Sequence, residues 1–315
     1  ILVLGLIGLQ GIGKLSLRGL MLLYVFQYLV IIVLFLVFRK IKMEKGQDIS
    51  ESVSLKKWGS YQRADIIQSM IAQMPVLVQY VFSGAFEAGV VSVVLTVKKM
   101  INFISGPSAK VFLPEFSRLY RNGEKEKIRG CYASIMRIQM LFAGPLSVVL
   151  IGYPEVVLRI LADKLVEYRF IFVMCSVVFI LTATLGPCSG LLQMTGNENK
   201  DNLFREIALV MMFVVMWLFR KDSLFVLYGL CAQALLESMG KYYYVCKWMQ
   251  RGPVKLSTYL SWWLWPGIAI ALTYLMHWEK SLLYMILCAG IVFCVGAVSE
   301  LKKEGGIGEI LRKKK

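Results

Sequence analysis

Residues 168–191 read YRFIFVMCSVVFILTATLGPCSGL. Apart from Arg169 near its start, this stretch has no charged residue, and it exceeds the roughly 20 apolar residues that a helix needs to cross a bilayer. The whole chain has the same character, with 57% hydrophobic residues, 18% charged residues and a mean hydropathy of +0.63. Soluble domains carry about a quarter charged residues. We therefore predict an integral membrane protein built from hydrophobic helices.

Similar apolar runs recur along the chain and predict an all-α, polytopic transmembrane helix bundle with about nine spans after an incomplete first run. The predicted bounds are 1–13 (partial), 19–38, 62–83, 89–113, 131–152, 168–191, 204–219, 224–246, 258–276 and 280–298. Because the chain opens at Ile1 within an apolar run, we expect it to be the N-terminally truncated part of a longer protein.

The basic residues predict how the chain crosses the membrane. Five connections or ends hold 21 Lys and Arg residues, and the alternate connections hold 4; the basic set is 39–61, 114–130, 192–203, 247–257 and 299–315. Basic connections face the cytoplasm in membrane proteins. We expect a multi-pass protein of the bacterial inner membrane with a cytoplasmic C-terminus. The basic tail 304–315 either lies near anionic membrane lipids or serves as a topology signal.

Several functional classes are disfavoured. The net charge of +16 is spread over the connections between spans, which does not favour a nucleic-acid partner. With scattered cysteines and a single histidine, His277, we expect no metal site. Residues 8–15, GLQGIGKL, resemble part of a phosphate-binding loop, but Leu15 replaces the required Ser or Thr, so we expect no nucleotide cofactor. Because the connections are too short for a soluble active site, we do not expect an enzyme.

Ionisable residues inside predicted spans mark the candidate binding site, because they are costly in hydrocarbon. Lys98 and Lys99 lie about 15 Å into span 89–113 at the helical rise of ~1.5 Å per residue. Two ammonium groups at that depth fit a water-filled cavity that attracts anions. The alternative is that one or both pair with a carboxylate on another helix and only stabilise the bundle.

Other spans carry further candidates. Gln73 belongs to a polar stripe in span 62–83, and Glu237 and Lys241 lie four residues apart in span 224–246. Glu237 and Lys241 either line a cavity or neutralise each other along their helix. Arg137 either enters the bundle from the cytoplasmic side or extends back to the membrane surface. Gly186-Pro187 is expected to loosen its helix. Loosened helices and several helices with polar stripes that face inward are typical of transporters.

Two stretches resemble a known family. Residues 82–92, FSGAFEAGVVS, lead through Lys98 and Lys99 to residues 112–118, FLPEFSR, and this hairpin resembles the seventh and eighth helices of oligosaccharide flippases. Residues 186–200, GPCSGLLQMTGNENK, are similar to the family's tenth helix and the loop after it. These flippases belong to the multidrug/oligosaccharidyl-lipid/polysaccharide exporter superfamily. The chain departs at Val91, where the family usually has tyrosine.

The resemblance implies two six-helix lobes, with most of the first lobe missing. Residues 1–45 would end the first lobe, 46–255 form the second, 256–298 add two spans, and 299–315 form the tail.

The function that the resemblance implies is the flipping of undecaprenyl-diphosphate-linked oligosaccharide, a repeat unit of O-antigen, capsule or exopolysaccharide, by alternating access between the lobes. A polysaccharide polymerase and assembly proteins would be partners. The alternatives are a peptidoglycan-precursor flippase, a multidrug antiporter, a non-functional remnant, or, in a different class, a polymerase or ligase enzyme.

Overall fold

The computed structural model describes residues 55–278 and 281–302. The chain divides into two compact units, and the described helices form the second unit, Lys56–Lys315. The predicted spans 1–13 and 19–38, the phosphate-loop-like stretch 8–15, the boundary at residue 45 and the tail beyond residue 302 lie outside the described residues.

The described residues form helices and turns, with no strand among them, which confirms the all-α prediction. A π-helical turn, Val148–Gly152, follows the third helix, and a 3-10 turn, Asp163–Tyr168, follows the fourth. In chain order the α-helices are α1 Leu55–Ser83, α2 Ala85–Arg121, α3 Lys125–Ser147, α4 Pro154–Leu161, α5 Arg169–Ala183, α6 Cys188–Met194, α7 Glu198–Leu218, α8 Phe225–Trp248, α9 Leu256–Trp262, α10 Leu264–Leu275 and α11 Leu282–Lys302.

Four stretches of the described chain are long and apolar enough to cross a membrane: Arg63–Ser83, Lys125–Gly152, Asp163–Met194 and Leu282–Glu300. The remaining predicted spans in this part of the chain are helical too. Among them, α7 and α8 carry eight Asp, Glu, Lys and Arg residues, which lower their hydropathy; four of these are Asp201, Arg205, Glu237 and Lys241.

Two of the three apolar clusters among the described residues join the helices that carry the polar site described below. The larger joins α2, α5, α7 and α8 and includes Val91, Phe179 and Leu230. The second joins α2, α3, α6 and α8 around Phe116 and Tyr132. The pair α7 and α8 makes the most extensive contact between elements. The polar groups described below lie on helices that these two clusters fix in place.

The chain leaves the helical conformation between α5 and α6, within the predicted span 168–191, and this break confirms the prediction at Gly186-Pro187. Gly186 has a φ of +90°, a conformation that L side chains rarely adopt. A Cβ at this position would lie 2.6 Å from Cε1 of Tyr132. The Tyr132 hydroxyl donates a hydrogen bond of 2.8 Å to the Leu185 carbonyl, so it satisfies backbone that the break leaves unpaired.

Candidate functional site

A polar cavity of about 340 Å³ lies beside this helix break. Its walls come from α1, α2, α3, α5, α6, α7 and α8, together with the α5–α6 turn at Gly186. Non-helical backbone is tolerated at membrane depth where it lines a cavity. The ionisable residues on its walls are Lys98, Arg205, Glu237 and Lys241.

Lys241 is the most enclosed of these charges, with its side chain only 2% exposed. Its ammonium nitrogen lies 2.7 Å from Oδ1 of Asp201 and 2.6 Å from Oε1 of Glu237. It also donates a hydrogen bond of 2.9 Å to the Ser189 hydroxyl. Two carboxylates and a hydroxyl therefore surround this cation, as a buried charge requires.

Arg205 extends the same network toward α1. Its guanidinium lies 3.3 Å from Oδ2 of Asp201 and 3.4 Å from Oε1 of Glu237. A third hydrogen bond, of 3.4 Å, goes to the backbone carbonyl of Ala64. Gln193 adds a hydrogen bond of 3.1 Å to Asp201. The network thus joins α1, α6, α7 and α8 through groups that satisfy one another.

Lys98 has different surroundings. Its ammonium nitrogen lies 3.4 Å from Oε1 of Gln233 and 5.1 Å from the centre of the Phe179 ring. Gln233 in turn donates to Glu237, so a neutral amide stands between Lys98 and the nearest acid of the network. Among the cations that line the cavity, within the described part of the chain, Lys98 alone forms no ion pair.

The charges of the site do not cancel. Lys98, Arg205 and Lys241 supply three positive charges, and Asp201 and Glu237 supply two negative charges. One positive charge therefore remains, and Lys98 is the cation of the three that forms no direct ion pair among the described residues. Attraction between charges is strong in such a low-dielectric environment. The cavity can accordingly bind an anionic group.

Three of the residues predicted from sequence meet in this cavity: Lys98, Glu237 and Lys241. Lys99 and Gln73 are exposed and do not belong to its lining as the described side chains define it. Arg137 lines a separate cavity of about 300 Å³ between α3, α9–α10 and α11, together with Glu300.

Sequence reasoning missed Asp201 and Arg205. Asp201 fell in the predicted connection 192–203, and Arg205 was the second residue of the predicted span 204–219, so the boundary between connection and span separated them. Their spacing of four residues, which places an acid and a base on one helix face, could have indicated an ion pair. Residues 201–205 belong to α7, which begins at Glu198.

The fold and cavity describe a membrane-spanning helical bundle with a polar interior site. A sequence profile of the family described as "Polysaccharide biosynthesis protein" matches residues 10–168, about half of the chain, and the chain belongs to this family. The match includes α1–α4 and therefore Lys98. No curated protein and no solved structure matches the chain. The chain is a membrane protein with a role in polysaccharide biosynthesis.

Proposed function

We propose that this protein is a flippase that moves polyprenyl-diphosphate-linked oligosaccharide from the cytoplasmic to the outer leaflet of the bacterial inner membrane. The cargo would be a repeat unit of O-antigen, capsule or exopolysaccharide, carried by alternating access. The observation that carries this proposal is the cation Lys98, which forms no direct ion pair among the described residues, in a cavity inside a helical bundle of a polysaccharide biosynthesis protein.

The chemistry of such a cargo matches the cavity. A diphosphate is its only strongly charged part, and it must pass a region where charge is costly. At an effective dielectric constant of about 20, two unit charges 4 Å apart attract each other by about 4 kcal/mol. Lys98 would supply this attraction, because Asp201 and Glu237 already neutralise Arg205 and Lys241.

The alternatives fit this arrangement less well. A cation-exporting drug antiporter of the same superfamily would need a carboxylate free to bind its cargo, whereas Asp201 and Glu237 are paired with cations. A polymerase or ligase would need a sizeable outer connection for its acid and base residues, and the connections between the described helices are short. The cargo of a peptidoglycan-precursor flippase also carries a diphosphate, so the cavity does not separate the two functions. They are distinguished by which lipid-linked glycan accumulates on the inner leaflet when transport is blocked.

The test is Lys98→Gln in the full chain, expressed in a strain that lacks the native copy. Loss of one charge-assisted hydrogen bond, about 1.5–3 kcal/mol, corresponds to at least about tenfold weaker binding. We expect surface glycan to fall and lipid-linked units to accumulate on the inner leaflet, at unchanged protein level in the membrane.

Two lysine variants serve as comparisons. Lys247→Gln removes an exposed charge at the end of α8 and should export normally. Lys99→Gln tests the exposed neighbour, and the geometry predicts a weaker effect than at Lys98. Normal export by Lys98→Gln at normal abundance would contradict the proposal.

A further inference from the structure

The second cavity, of about 300 Å³ between α3, α9–α10 and α11, has a charged end and an apolar end. Its charged and hydroxyl-bearing side chains come from α3, α9 and α11; they are Arg137, Ser261, Ser299 and Glu300. The remaining residues of the lining are apolar or aromatic, among them Gly144, Pro266 and Val292. A cavity of this kind suits an amphipathic ligand.

Two helices place the charged end at the same level of the membrane. On α3, Gly144 lies seven residues beyond Arg137, which is about 10 Å farther along the helix. On α11, Val292 lies eight residues before Glu300, which is about 12 Å. In the predicted topology α3 begins and α11 ends on the cytoplasmic side. The charged end therefore lies toward the headgroups of the cytoplasmic leaflet, and the apolar end lies deeper in the membrane.

The cavity is closed at its deep end and opens at its side. A Cβ at Gly144 would lie 3.2 Å from Cγ of Pro266 and 3.5 Å from Cγ1 of Val292, so α3, α10 and α11 meet there. Leu264 and Trp265 line the cavity and are 57% and 51% exposed, which places its edge on the apolar outer surface of the bundle. Tryptophan is also enriched at the membrane interface. A ligand can thus enter from the surrounding lipid.

The charges of this cavity cancel, in contrast to those around Lys98. Arg137 and Glu300 are the ionisable residues of its lining among the described side chains, and Glu300 is only 6% exposed. A headgroup with a negative charge alone would be attracted by the arginine and repelled by the glutamate. A headgroup that carries one charge of each sign would be complementary to both.

We propose that this cavity binds a zwitterionic phospholipid of the cytoplasmic leaflet, with a phosphate and a primary ammonium group in its headgroup. A guanidinium such as Arg137 binds phosphate through paired hydrogen bonds. The ammonium group can donate three hydrogen bonds, which suits the Glu300 carboxylate and the neighbouring hydroxyls. The acyl chains would pass between the apolar side chains to the lipid at Leu264 and Trp265. This inference is independent of the proposed function, because the ligand is a resident membrane lipid and not the cargo.

A lipid at this place would act on the stability of the bundle. Its headgroup would contact α3, α9 and α11 at once, and so would hold the last three described helices against the rest of the bundle. A ligand that binds the folded state alone raises the melting midpoint. We therefore expect the lipid that fits best to stabilise the protein most.

The experiment uses the purified full chain, delipidated in detergent, and three lipids with identical acyl chains: phosphatidylethanolamine, phosphatidylcholine and phosphatidylglycerol. Native mass spectrometry gives their affinities, and thermal unfolding gives the melting midpoint with each. Phosphatidylethanolamine should bind about tenfold more tightly than either of the others. The trimethylated nitrogen of phosphatidylcholine has no hydrogen to donate, and phosphatidylglycerol has no cation to offer to Glu300.

Two charge variants test the two halves of the headgroup. Glu300→Gln should abolish the preference for phosphatidylethanolamine over phosphatidylglycerol, because the carboxylate that selects the ammonium group is gone. Arg137→Gln should weaken binding of all three lipids, because each of them carries the phosphate.

A third variant changes no charge, since replacement of a buried residue such as Glu300 can also affect folding. Ser261→Trp places an indole at an exposed position of the lining and should obstruct the cavity, so lipid binding and its stabilising effect should be lost. Ser257→Trp is the matched control. It adds the same side chain one turn earlier on α9, at an exposed position outside the lining, and should bind lipid as the parent does.

Equal binding of the three lipids by the parent, or binding of none, would overturn the proposal, and so would unchanged binding by Ser261→Trp. Displacement of phosphatidylethanolamine by polyprenyl diphosphate in the parent and equally in Lys98→Gln would overturn it too, because the cavity would then accept the carrier of the cargo. None of these results bears on the anion site at Lys98, since the two cavities share no lining residue among those described.

Discussion

Lys98 and Lys241 line one cavity, but the groups around their ammonium nitrogens differ. Lys241 contacts the carboxylates of Asp201 and Glu237, whereas Lys98 lies beside the neutral amide of Gln233 and the aromatic ring of Phe179. For Glu237 and Lys241 the structure shows the mutual pairing that the sequence left open as one interpretation, while both also line the cavity. The same side chain can therefore stabilise the bundle at one position and attract an anion at another.

Lys241→Gln should lower stability rather than act on transport alone. Removal of one partner from a buried ion pair costs about 3–5 kcal/mol, because the other charge is left uncompensated. We expect less protein in the membrane and a lower melting midpoint in detergent, in contrast to Lys98→Gln. Asp201→Asn combined with Lys241→Gln should recover part of the loss. A single variant as stable as the parent would show that the pair contributes little.

At the scale of the helices, the apolar runs were predictable and their ends were not. Hydropathy ended one span at residue 113 and began the next at 131, whereas α2 continues to Arg121 and α3 begins at Lys125. Hydropathy indicates which residues lie in the hydrocarbon core of the membrane, but a helix can continue beyond that core into water. Ion pairs three residues apart support these extensions, such as Glu115 with Arg118.

Helical rotation explains which candidate site residues the sequence could identify. Adjacent residues point about 100° apart on a helix of 3.6 residues per turn, so Lys98 and Lys99 cannot face one narrow cavity equally. Their depth in the span made both lysines candidates for the binding site. Only the packing of the helices shows that Lys98 is the one that lines the cavity. On α1, likewise, Gln68 and Ile71 line the cavity, while Gln73 lies on another face. The burial of Gln139, with 1% of its surface exposed, has no sequence signal, because it depends on neighbours from other helices.

Gly229→Ala should disrupt the contact between α7 and α8. A Cβ at this position would lie 2.6 Å from Cγ of Met216 and 2.8 Å from the Met212 carbonyl oxygen, and the backbone cannot move aside cheaply. Overpacking of this kind costs about 1–3 kcal/mol. Because these two helices carry the charge network, we expect a lower melting midpoint together with reduced export.

Gly89→Ala is the matched control for this variant. A Cβ at Gly89 would have no atom within 4 Å, apart from the helix's own backbone. In addition, Ala has a higher helix propensity than Gly. Its melting midpoint should therefore match or exceed that of the parent. If the Gly229→Ala and Gly89→Ala variants had the same melting midpoint, α7 and α8 could move apart without cost, and the prediction for Gly229 would be wrong.

For the whole molecule, charge and helix order predict one path through the membrane. The short connections after α2, α6 and α8 fall within the basic set of the sequence. The connection after α7 contains residues 220–223, which belong to the alternate connections with few basic residues. This path requires α5–α6 and α9–α10 each to cross once. Asp163–Met194 is long enough to do so despite its break, and Trp263 alone separates α9 from α10.

Reporter fusions test this path, including its two interrupted spans. An enzyme that is active only outside the cytoplasm should be silent when fused after Asn122, Arg251 or Lys315, and active after Lys221. A fluorescent protein that folds only in the cytoplasm should give the opposite pattern at each site. Silence after both Arg251 and Lys315 requires an even number of crossings between them, which α9–α10 as one span and α11 as the second provide. Enzyme activity after Lys315 alone would mean that the chain turns back at Trp263, and the predicted cytoplasmic C-terminus would be wrong.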